Sequence, residues 1–190
     1  MKTWKTRISV TLILAAAVHF IVVLAIPHVI SGELERGILE KARINTLRHD
    51  NPRSHGPENR IPQSNPDFLP SILAYDVSEK PLRFHLAWPG YVPYWSFSLF
   101  ASNIDNYYVL NYRDIDKRES VYDITEVKLV LVGPQGSYQA KDDEVVVTSP
   151  TNKGFGLIRM IVSDRYSERG LKEVKELKKV QLMSYVEPIP

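Results

Sequence analysis

The stretch YVPYWSFSLFASNIDNYYVLN, residues 91–111, decides the fold class of this chain. Apolar side chains alternate with serine between Trp95 and Ala101, which is the two-residue period of a β-strand with one buried face. The segment 102–106 favours a tight turn, and an extended pattern resumes after it. We therefore predict two neighbouring antiparallel strands. Aromatic rings at this period are more often core than a binding platform, because each buries a large apolar area in a sheet face.

Tyr107 and Tyr108 come directly after the predicted turn. Because successive side chains of a strand point to opposite faces, both rings cannot face inward. We expect one of the two rings on the outer face of the sheet, where it would offer a small binding surface.

Other segments of β-type composition are separated by turn residues. They are SILAYDV (71–77), LRFHLAW (82–88), VKLVLVG (127–133), EVVVTS (144–149) and FGLIRMIV (155–162). The run 127–133 is apolar on both faces, as in a central strand, and the PQG after it is predicted to turn the chain so that 144–149 returns. Residues 150–154 resemble a hairpin connection in which Gly154 takes a positive φ angle.

The last regular element is SERGLKEVKELKKVQL, residues 167–182. Its apolar residues recur at a spacing of three, and Ser167 can cap the amino end, so we predict a helix. Together these elements predict a mainly β chain. We expect an antiparallel β-sandwich-like exported domain over 62–190 with a C-terminal helix, preceded by one N-terminal transmembrane helix.

The amino terminus carries the predicted transmembrane helix, over residues 8–30. No charged residue occurs from Ile8 to Ile26, and a helix of about 19 residues spans roughly 28 Å, close to the hydrocarbon thickness. A cleaved signal peptide is the alternative, but its apolar segment is usually shorter and ends at small residues. Residues 1–7 are basic without an acid, which favours a cytoplasmic amino terminus. The domain would then face the periplasm or the cell exterior, with the anchor in the cell inner membrane.

Residues 31–61 are expected to connect the span to the domain. The part 31–47 has the pattern of a short amphipathic helix, which we interpret as a solvated stalk. Prolines then interrupt the chain repeatedly, which is typical of a linker. His49, Asp50 and His55 lie in this linker, but no regular element fixes their spacing, so no metal site is predicted.

Composition excludes several function classes. The 24 basic and 22 acidic residues nearly balance, so the chain has no electrostatic footprint for nucleic acid. It has no cysteine, which rules out disulfides, thiolate nucleophiles and sulfur-bound zinc. The sequence also has no serine elbow, paired histidine-carboxylate site or phosphate-binding loop, and we predict no cofactor.

Four blocks of the sequence, in this order, resemble the bacterial domain-of-unknown-function 1254 family in its short, membrane-anchored form. They are SNPDFLPSILAYDVSEKPLRF (64–84), the opening stretch 91–111, VVVTSPTNKGFGLIRMIV (145–162) and LKEVKELKKVQL (171–182). The resemblance implies a β-rich, sandwich-like domain without established activity or agreed catalytic residues. It also implies a partner, because in longer relatives a companion domain-of-unknown-function 1214 follows. We expect a separately encoded companion protein here.

Four polar residues are candidates for a ligand pocket: Asp67, Tyr75, His85 and Arg159. Arg159 stands in an apolar strand, so it either faces solvent by alternation or is held by a carboxylate. Asp67, Asp76 and Asp105 are the carboxylates that could hold it. Asp67 also belongs to an Asn-Pro-Asp turn signal, for which a structural role is favoured over a catalytic one.

Two classes of function follow. The first is a noncatalytic envelope protein that docks a companion domain through an exposed sheet edge or outer aromatic residues. The alternative is a periplasmic enzyme or binder acting on a small or lipidic ligand. We favour the first, because no catalytic signature accompanies the four pocket candidates.

Thr11, Ala15 and His19 recur every four residues and share one face of the predicted span. Small residues on this face would let another helix approach closely, so we hypothesise a membrane helix contact or self-association. We interpret His19 as a neutral imidazole that hydrogen-bonds backbone or another helix, rather than as a proton carrier, because the span has no acidic residue.

The helix contact predicts that His19→Leu lowers cysteine crosslinking between neighbouring spans, because it removes the polar group from the shared face. Crosslinking of membranes containing a single introduced cysteine measures this. Ile13→Leu, on the opposite face, is the control and should have no effect. Unchanged crosslinking in His19→Leu would disprove the contact.

Overall fold

The computed structural model describes residues 2–50, 65, 67–90, 92, 94–115, 124–162 and 167–190. Within these ranges the elements are α1 (Lys2–Leu39), β1 (Arg48–His49), β2 (Phe68–Asp76), β3 (Leu82–Pro89), β4 (Trp95–Ala101), β5 (Asn106–Asn111), β6 (Ile124–Val132), β7 (Glu144–Thr148), β8 (Lys153–Ile161), α2 (Glu168–Met183) and β9 (Tyr185–Pro188). The chain is therefore mostly β between two helices.

The strands form two sheets that pack face to face. Sheet A has the order β1-β2-β8-β4-β5, and sheet B has the order β7-β6-β3-β9. One core joins them, in which Phe84 of β3 packs against Phe97 of β4 with ring centroids 5.2 Å apart. The predicted β-sandwich with a C-terminal helix is confirmed, and the fold is mixed only through one parallel pair of strands.

β4 and β5 pair antiparallel, as the opening stretch predicts. The prediction that β4 is buried on one face only is wrong. Ser96 and Ser98, on the face away from the core, are only 2% and 6% exposed. β4 lies between β8 and β5, and the long side chains of Arg159 and Leu157 stand directly opposite the two serines. Small residues beside long neighbours lose contact with water even on an outer face.

Tyr107 and Tyr108 both pack against the core, which corrects the prediction that one ring faces outward. The register shifts at this point, because Leu99 pairs with Tyr108 whereas Phe100 pairs with Asn106. Tyr107 is thus the extra residue of a β-bulge. A bulge interrupts strict alternation, so consecutive side chains can point to the same side.

β7 does not return antiparallel beside β6, as the sequence suggested. It runs parallel to β6, with Leu129 opposite Val145, because residues 133–143 carry the chain back along the sheet before β7 begins. Residues 149–152 then cross from sheet B to sheet A and are not a hairpin. Gly154 has no positive φ angle, so the predicted reason for this glycine is wrong as well.

Gly154 is needed for close packing instead. A Cβ atom there would lie 2.1 Å from the Phe100 carbonyl oxygen and 2.4 Å from the Tyr75 hydroxyl oxygen. At Gly156 a Cβ would lie 2.3 Å from a Leu73 methyl group, but every other atom is at least 3.5 Å away. The Tyr75 and Leu73 side chains of β2 therefore occupy the space beside Gly154 and Gly156 of β8, where β8 has no side chain.

α1 continues without a break from the apolar run to Leu39, with Pro27 inside it. The expected solvated stalk is instead part of the domain, because Ile38 is 1% exposed against Ala74 and Phe155 on the outer face of sheet A. Leu34 adds to this cluster. The helix ends at Leu39, and Asn45, farther along the connection to β1, has a positive φ of 59°.

Polar contacts fix the docked end of α1. Lys153 lies 3.8 Å from both Glu35 of the helix and Asp76 of β2. The Asn45 side-chain amide donates from Nδ2 to the Asp76 carbonyl and accepts from the Asp76 backbone N–H at Oδ1. Leu47 then enters the main core, so the domain includes residues that we expected in the connection. Residues 51–64, most of the expected linker, lie outside the described residues.

α2 closes one side of the sandwich, and the predicted cap is present: the Gly170 amide donates to the Ser167 hydroxyl at 3.0 Å. Leu177 enters the core between the sheets. The Gln181 amide, 2% exposed, donates to the Pro70 carbonyl at 2.7 Å and to the Ser71 hydroxyl at 2.9 Å. The helix is thereby attached to β2 by both apolar and polar contacts.

The packing over β8 predicts different costs for two alanine substitutions. Gly154→Ala should lower the free energy of unfolding by about 3 kcal/mol, since a backbone oxygen must move, whereas Gly156→Ala should cost about 1 kcal/mol, since a leucine rotamer can yield. Urea unfolding of the full chain in detergent measures both. Equal losses in the two variants would contradict the packing argument.

Candidate functional site

The four pocket candidates lie in four different places. Tyr75 is fully buried in the core, at the end of β2. Asp67 is exposed at the start of β2, where its backbone carbonyl accepts from Val162. Arg159 lies on the outer face of sheet A and His85 on the outer face of sheet B, so the structure does not bring the four together. Whether any of them binds a ligand stays a prediction.

Tyr75 belongs to a buried hydroxyl cluster. Its hydroxyl lies 2.9 Å from the hydroxyls of both Tyr107 and Ser149 and 3.1 Å from the Phe100 carbonyl oxygen. Burial raises the pKa of Tyr75, and it also raises the pKa of Tyr107. Both phenols therefore stay neutral and act as hydrogen-bonding cross-links within the core.

Arg159 faces away from the core by strand alternation, which is the first of the two alternatives predicted for it. Ile158 and Met160 beside it are buried, while the arginine is half-buried on the outer face, opposite Pro70 and Ser96. Among the described residues it forms no ion pair, so none of the three aspartates named as candidates holds it.

His85 is the one candidate that lies within a larger polar arrangement. Its Nδ1 is 2.5 Å from Glu126 Oε1 and its Nε2 is 3.4 Å from Glu187 Oε1. The Tyr185 ring stacks on the imidazole at 4.2 Å between centroids, with an angle of 7° between the planes. β3 positions the histidine between β6 and β9, which supply these partners.

Arg83 extends the arrangement along the same face. Its guanidinium donates to Glu144 at 2.7 Å, to Glu187 at 3.0 Å and to the Tyr138 hydroxyl at 3.0 Å. Tyr138 in turn donates to the other Glu144 oxygen at 2.9 Å. We call this arrangement the sheet B network. Its members are Arg83, His85, Glu126, Tyr138, Glu144, Tyr185 and Glu187.

Hydrogen bonds within the sheet B network stabilise the charged forms of Arg83, Glu144 and Glu187. Hydrogen bonds from Arg83 and then His85 hold the pKa of Glu187 below its ordinary value. Burial acts to raise the pKa of Glu144, but hydrogen bonds from the Lys141 amide and Arg83 lower it overall. The same two carboxylates raise the pKa of Arg83. Glu144 and Glu187 are therefore ionised at neutral pH.

The network ends in an exposed patch beside β9. Leu182, Met183 and Tyr185 are 69%, 52% and 49% exposed. The side chains of Glu126 and Glu187 are 51% and 45% exposed at the same place. We call these five residues the β9 patch. It combines apolar surface with two carboxylates, which suits a protein surface with apolar and basic groups.

His85 contacts two carboxylates, which corrects the expectation that the chain has no paired histidine-carboxylate site. Arg83 has three partners, so its guanidinium is engaged within the network. No group of three metal-binding side chains occurs among the residues that the structure describes. Of the linker residues considered for a metal, Asp50 pairs with Arg48 at 2.7 Å, and His55 lies outside the described residues.

A second polar cluster ties β1 to α2. The Nδ1 atom of His49 is 2.9 Å from the Ser71 hydroxyl, and Gln181 donates to the same hydroxyl. Ser71 is fully buried, and burial lowers the pKa of His49. A serine without access to solvent cannot attack a substrate, so this cluster is structural.

Sequence reasoning missed most of the sheet B network. Of its members, only His85 was among the polar residues selected from the sequence. Arg83 stands two residues before His85, and the two-residue period of a strand puts both side chains on the same face of the sheet. Glu144 and Glu187 come from distant strands, and no local pattern indicates that they meet Arg83.

The chain is thus a β-sandwich domain with a long apolar amino-terminal helix and a self-contained polar network, without a recognisable reaction centre in its described part. The family model for the protein of unknown function DUF1254 matches residues 44–184. The chain belongs to the DUF1254 family, as its four sequence blocks indicated.

The similarity to a solved structure from Vibrio parahaemolyticus supports the fold. The VPA0106 protein from Vibrio parahaemolyticus is similar with a TM-score of 0.58 and 14% identity, over 88% of this chain and 38% of that one. An uncharacterised protein from Burkholderia cenocepacia has a TM-score of 0.48 and 16% identity, over 87% of this chain and 40% of that one. This chain therefore spans about two fifths of their length. No curated protein is detectably similar to it.

α1 is long and apolar enough to cross a membrane, by its length and composition. An amino-terminal signal sequence would meet the same criterion. The helix is thus compatible with a single-pass anchor. Thr11, Ala15 and His19 lie along one side of it, with Thr11 donating to the Arg7 carbonyl at 3.0 Å, and their contact with another helix stays a prediction.

The lowered pKa values of Glu144 and Glu187 predict a pH-dependent effect of Arg83→Gln. A carboxyl with a depressed folded-state pKa stabilises the fold above its ordinary pKa of 4.5, and this contribution is lost as pH falls through the folded pKa. The stability difference between the unmodified chain and Arg83→Gln should therefore be larger at about pH 7 than at about pH 3.5, as measured by urea unfolding.

Lys128→Gln is the matched control, because Lys128 pairs with the exposed Asp143 on the same sheet. Exposed ion pairs contribute little, so this variant should differ little from the unmodified chain at either pH. A stability difference for Arg83→Gln that does not change with pH would contradict the assignment.

Proposed function

We propose that this protein is a noncatalytic, single-pass membrane protein whose sandwich domain docks a companion domain at the β9 patch. The observation that carries the proposal is the exposed apolar surface of Leu182, Met183 and Tyr185 beside an edge strand. Edge strands and exposed apolar groups are the surfaces that other chains bind.

The companion that fits is a separately encoded protein of the domain-of-unknown-function 1214 type. The similar Vibrio structure has more than half of its length outside the part that matches this domain. The family resemblance implies that in longer relatives such a companion follows this domain, so in those chains it begins after β9. Consecutive units joined by short connections are usually adjacent in space, which favours the β9 side of sheet B over the other surfaces.

Charge supports the same surface. Glu126 and Glu187 flank the apolar part of the patch, and Arg83 and His85 hold Glu187 in place. A companion with basic groups around an apolar centre would be complementary to it.

The anchor is α1, which we propose stays uncleaved in the cell inner membrane. Basic residues precede its apolar run, which favours a cytoplasmic amino terminus and a domain on the periplasmic or outer side. The packing of Ile38 on sheet A is consistent with retention, because one unbroken helix joins the apolar run to the domain.

The proposal predicts that Leu182→Asp weakens copurification of a purified companion domain by about tenfold, as expected when a charge enters the apolar centre of an interface. Leu171→Asp is the matched control: it lies on the same helix, is 55% exposed and is outside the patch. Membrane-extracted, tagged full chain would be mixed with the companion, and bound companion quantified.

Unchanged binding by Leu182→Asp, or equal loss in both variants, would contradict docking at this patch. If the protein is a monomer that does not bind the companion but carries a bound small molecule, a ligand-binding function would be favoured instead. Circular dichroism of both variants checks that the fold is intact.

A further inference from the structure

The helix α1 packs on a row of residues that runs across sheet A. The members of this row pair side by side on neighbouring strands: Ala74 of β2, Phe155 of β8, Phe100 of β4 and Asn106 of β5. We call them the Ala74 row. Ile38 and Leu34 of α1 lie in one apolar cluster with the first three members. The helix therefore follows the row and crosses the strands.

Contacts on the two flanks of α1 show the same direction. Lys153 stands on one side of the row, two residues before its member in β8, and Glu35 lies 3.8 Å from it. Arg48 of β1 stands on the other side, opposite Ile72, and donates to the Gly37 carbonyl at 3.5 Å. Because Gly37 is at β1 and Glu35 is at β8, the helix runs toward the β5 edge when it is followed back to its apolar run.

Low exposure continues along the same side of α1 into the apolar run. Ser31 is only 9% exposed and Pro27 is half-buried, whereas the residues directly beside them are exposed. Together with Leu34 and Ile38 they are spaced by four, three and four residues, which puts them on one side of a helix. The side of α1 that faces sheet A therefore stays covered where the apolar run ends.

The strand spacing shows where β5 lies along the helix. Three spacings of about 4.8 Å separate β2 from β5, roughly 14 Å in all, and this is the rise of about nine helical residues. Counting back from Ile38, which packs on Ala74, reaches residues 28–29, before the apolar run has ended. β5 is therefore level with the end of the run, whereas β1 is four spacings, about 19 Å, farther out.

The surface of β5 suits a headgroup layer. Residues 106–111 contain no charged side chain, Asn106 is exposed, and Val109 is 48% exposed. β5 is also an edge of sheet A, with no strand on its outer side in the part of the chain that the structure describes. The backbone groups along such an edge need hydrogen-bond partners, and the headgroup layer supplies water and phosphate oxygens.

We propose that the β5 edge of the sandwich lies along the phospholipid headgroup layer, with the strands of sheet A roughly parallel to the membrane. The inference rests on the proposed anchoring of the domain by α1 and adds an orientation to it. The packing of Ile38 and Leu34 on the sheet fixes that orientation, because a docked helix cannot swivel as a flexible linker would.

This orientation places the β9 patch away from the lipid. Gln181 of α2 donates to the Pro70 carbonyl of β2, and His49 of β1 contacts the same Ser71 hydroxyl as Gln181. α2, and β9 directly after it, therefore lie at the β1 side of the sandwich. A companion in the aqueous space then reaches the patch without contacting the membrane.

Three single-cysteine variants test the orientation, since the chain has no native cysteine. Asn106→Cys and Val109→Cys lie on β5, and Thr46→Cys is exposed two residues before β1. Each full chain is labelled with a fluorophore and reconstituted in phosphatidylcholine vesicles that carry a nitroxide on the headgroup. Quenching at Asn106 should be at least about twofold stronger than at Thr46, because the headgroup layer, roughly 5–8 Å thick, is thin relative to the distance between β1 and β5.

Quenching at Val109 should equal that at Asn106. The two residues are about 10 Å apart along β5, which lies along the surface in this orientation. Quenching at Val109 as weak as at Thr46 would show that a strand end rather than the β5 edge meets the lipid, and would overturn the proposal.

Ile38→Ser tests whether docking of α1 sets the orientation, and Leu34→Ser is a milder second variant in case the first unfolds. Both should narrow the difference in quenching between Asn106 and Thr46. Leu39→Ser, at a position 40% exposed on the same helix, is the control and should leave the difference unchanged. Circular dichroism confirms folding.

Equal quenching at Asn106 and Thr46, or a difference that neither helix variant narrows, would overturn the orientation while leaving the anchor intact. If the full chain does not float with the vesicles, the anchor itself is refuted, and with it the proposed function.

Discussion

The missing side chains of Gly154 and Gly156 in β8 are the constraint on which the sandwich depends. They let Tyr75 and Leu73 of β2 lie across the centre of sheet A. The Tyr75 hydroxyl then reaches the Phe100 carbonyl in β4 of sheet A and the Ser149 hydroxyl, which directly follows β7 of sheet B. A single buried phenol thus connects both sheets, and it does so only because β8 offers no Cβ in its path.

The sequence predicted those features that depend on local periodicity. Alternation around Trp95 gave the strand and its antiparallel neighbour, and Ser167 marked the start of the last helix. The failures came from tertiary context. A bulge in β5 turns both Tyr107 and Tyr108 toward the core. Ile38 packs on sheet A, whereas on an isolated helix its side chain would be exposed to water. Neither effect leaves a trace in spacing alone.

The candidate site shows the same division more sharply. His85 could be selected as a polar residue in an apolar strand, but its meaning comes from Glu126 and Glu187, which β6 and β9 bring to its two sides. Arg83 and Glu144 are likewise joined only by strand order. Sequence identifies single unusual residues, whereas a network across strands requires the topology. The four residues selected from sequence are for this reason dispersed over both sheets.

The late position of β9 along the chain has a consequence for biogenesis. Residues 185–188 supply the edge of sheet B, and Gln181 locks α2 onto β2 across a separation of 111 residues to Pro70. Until these segments have been synthesised, β3 keeps an unpaired edge and the side of the core stays open to water. A nascent chain must therefore stay incompletely folded until residues 167–188 have emerged from the ribosome.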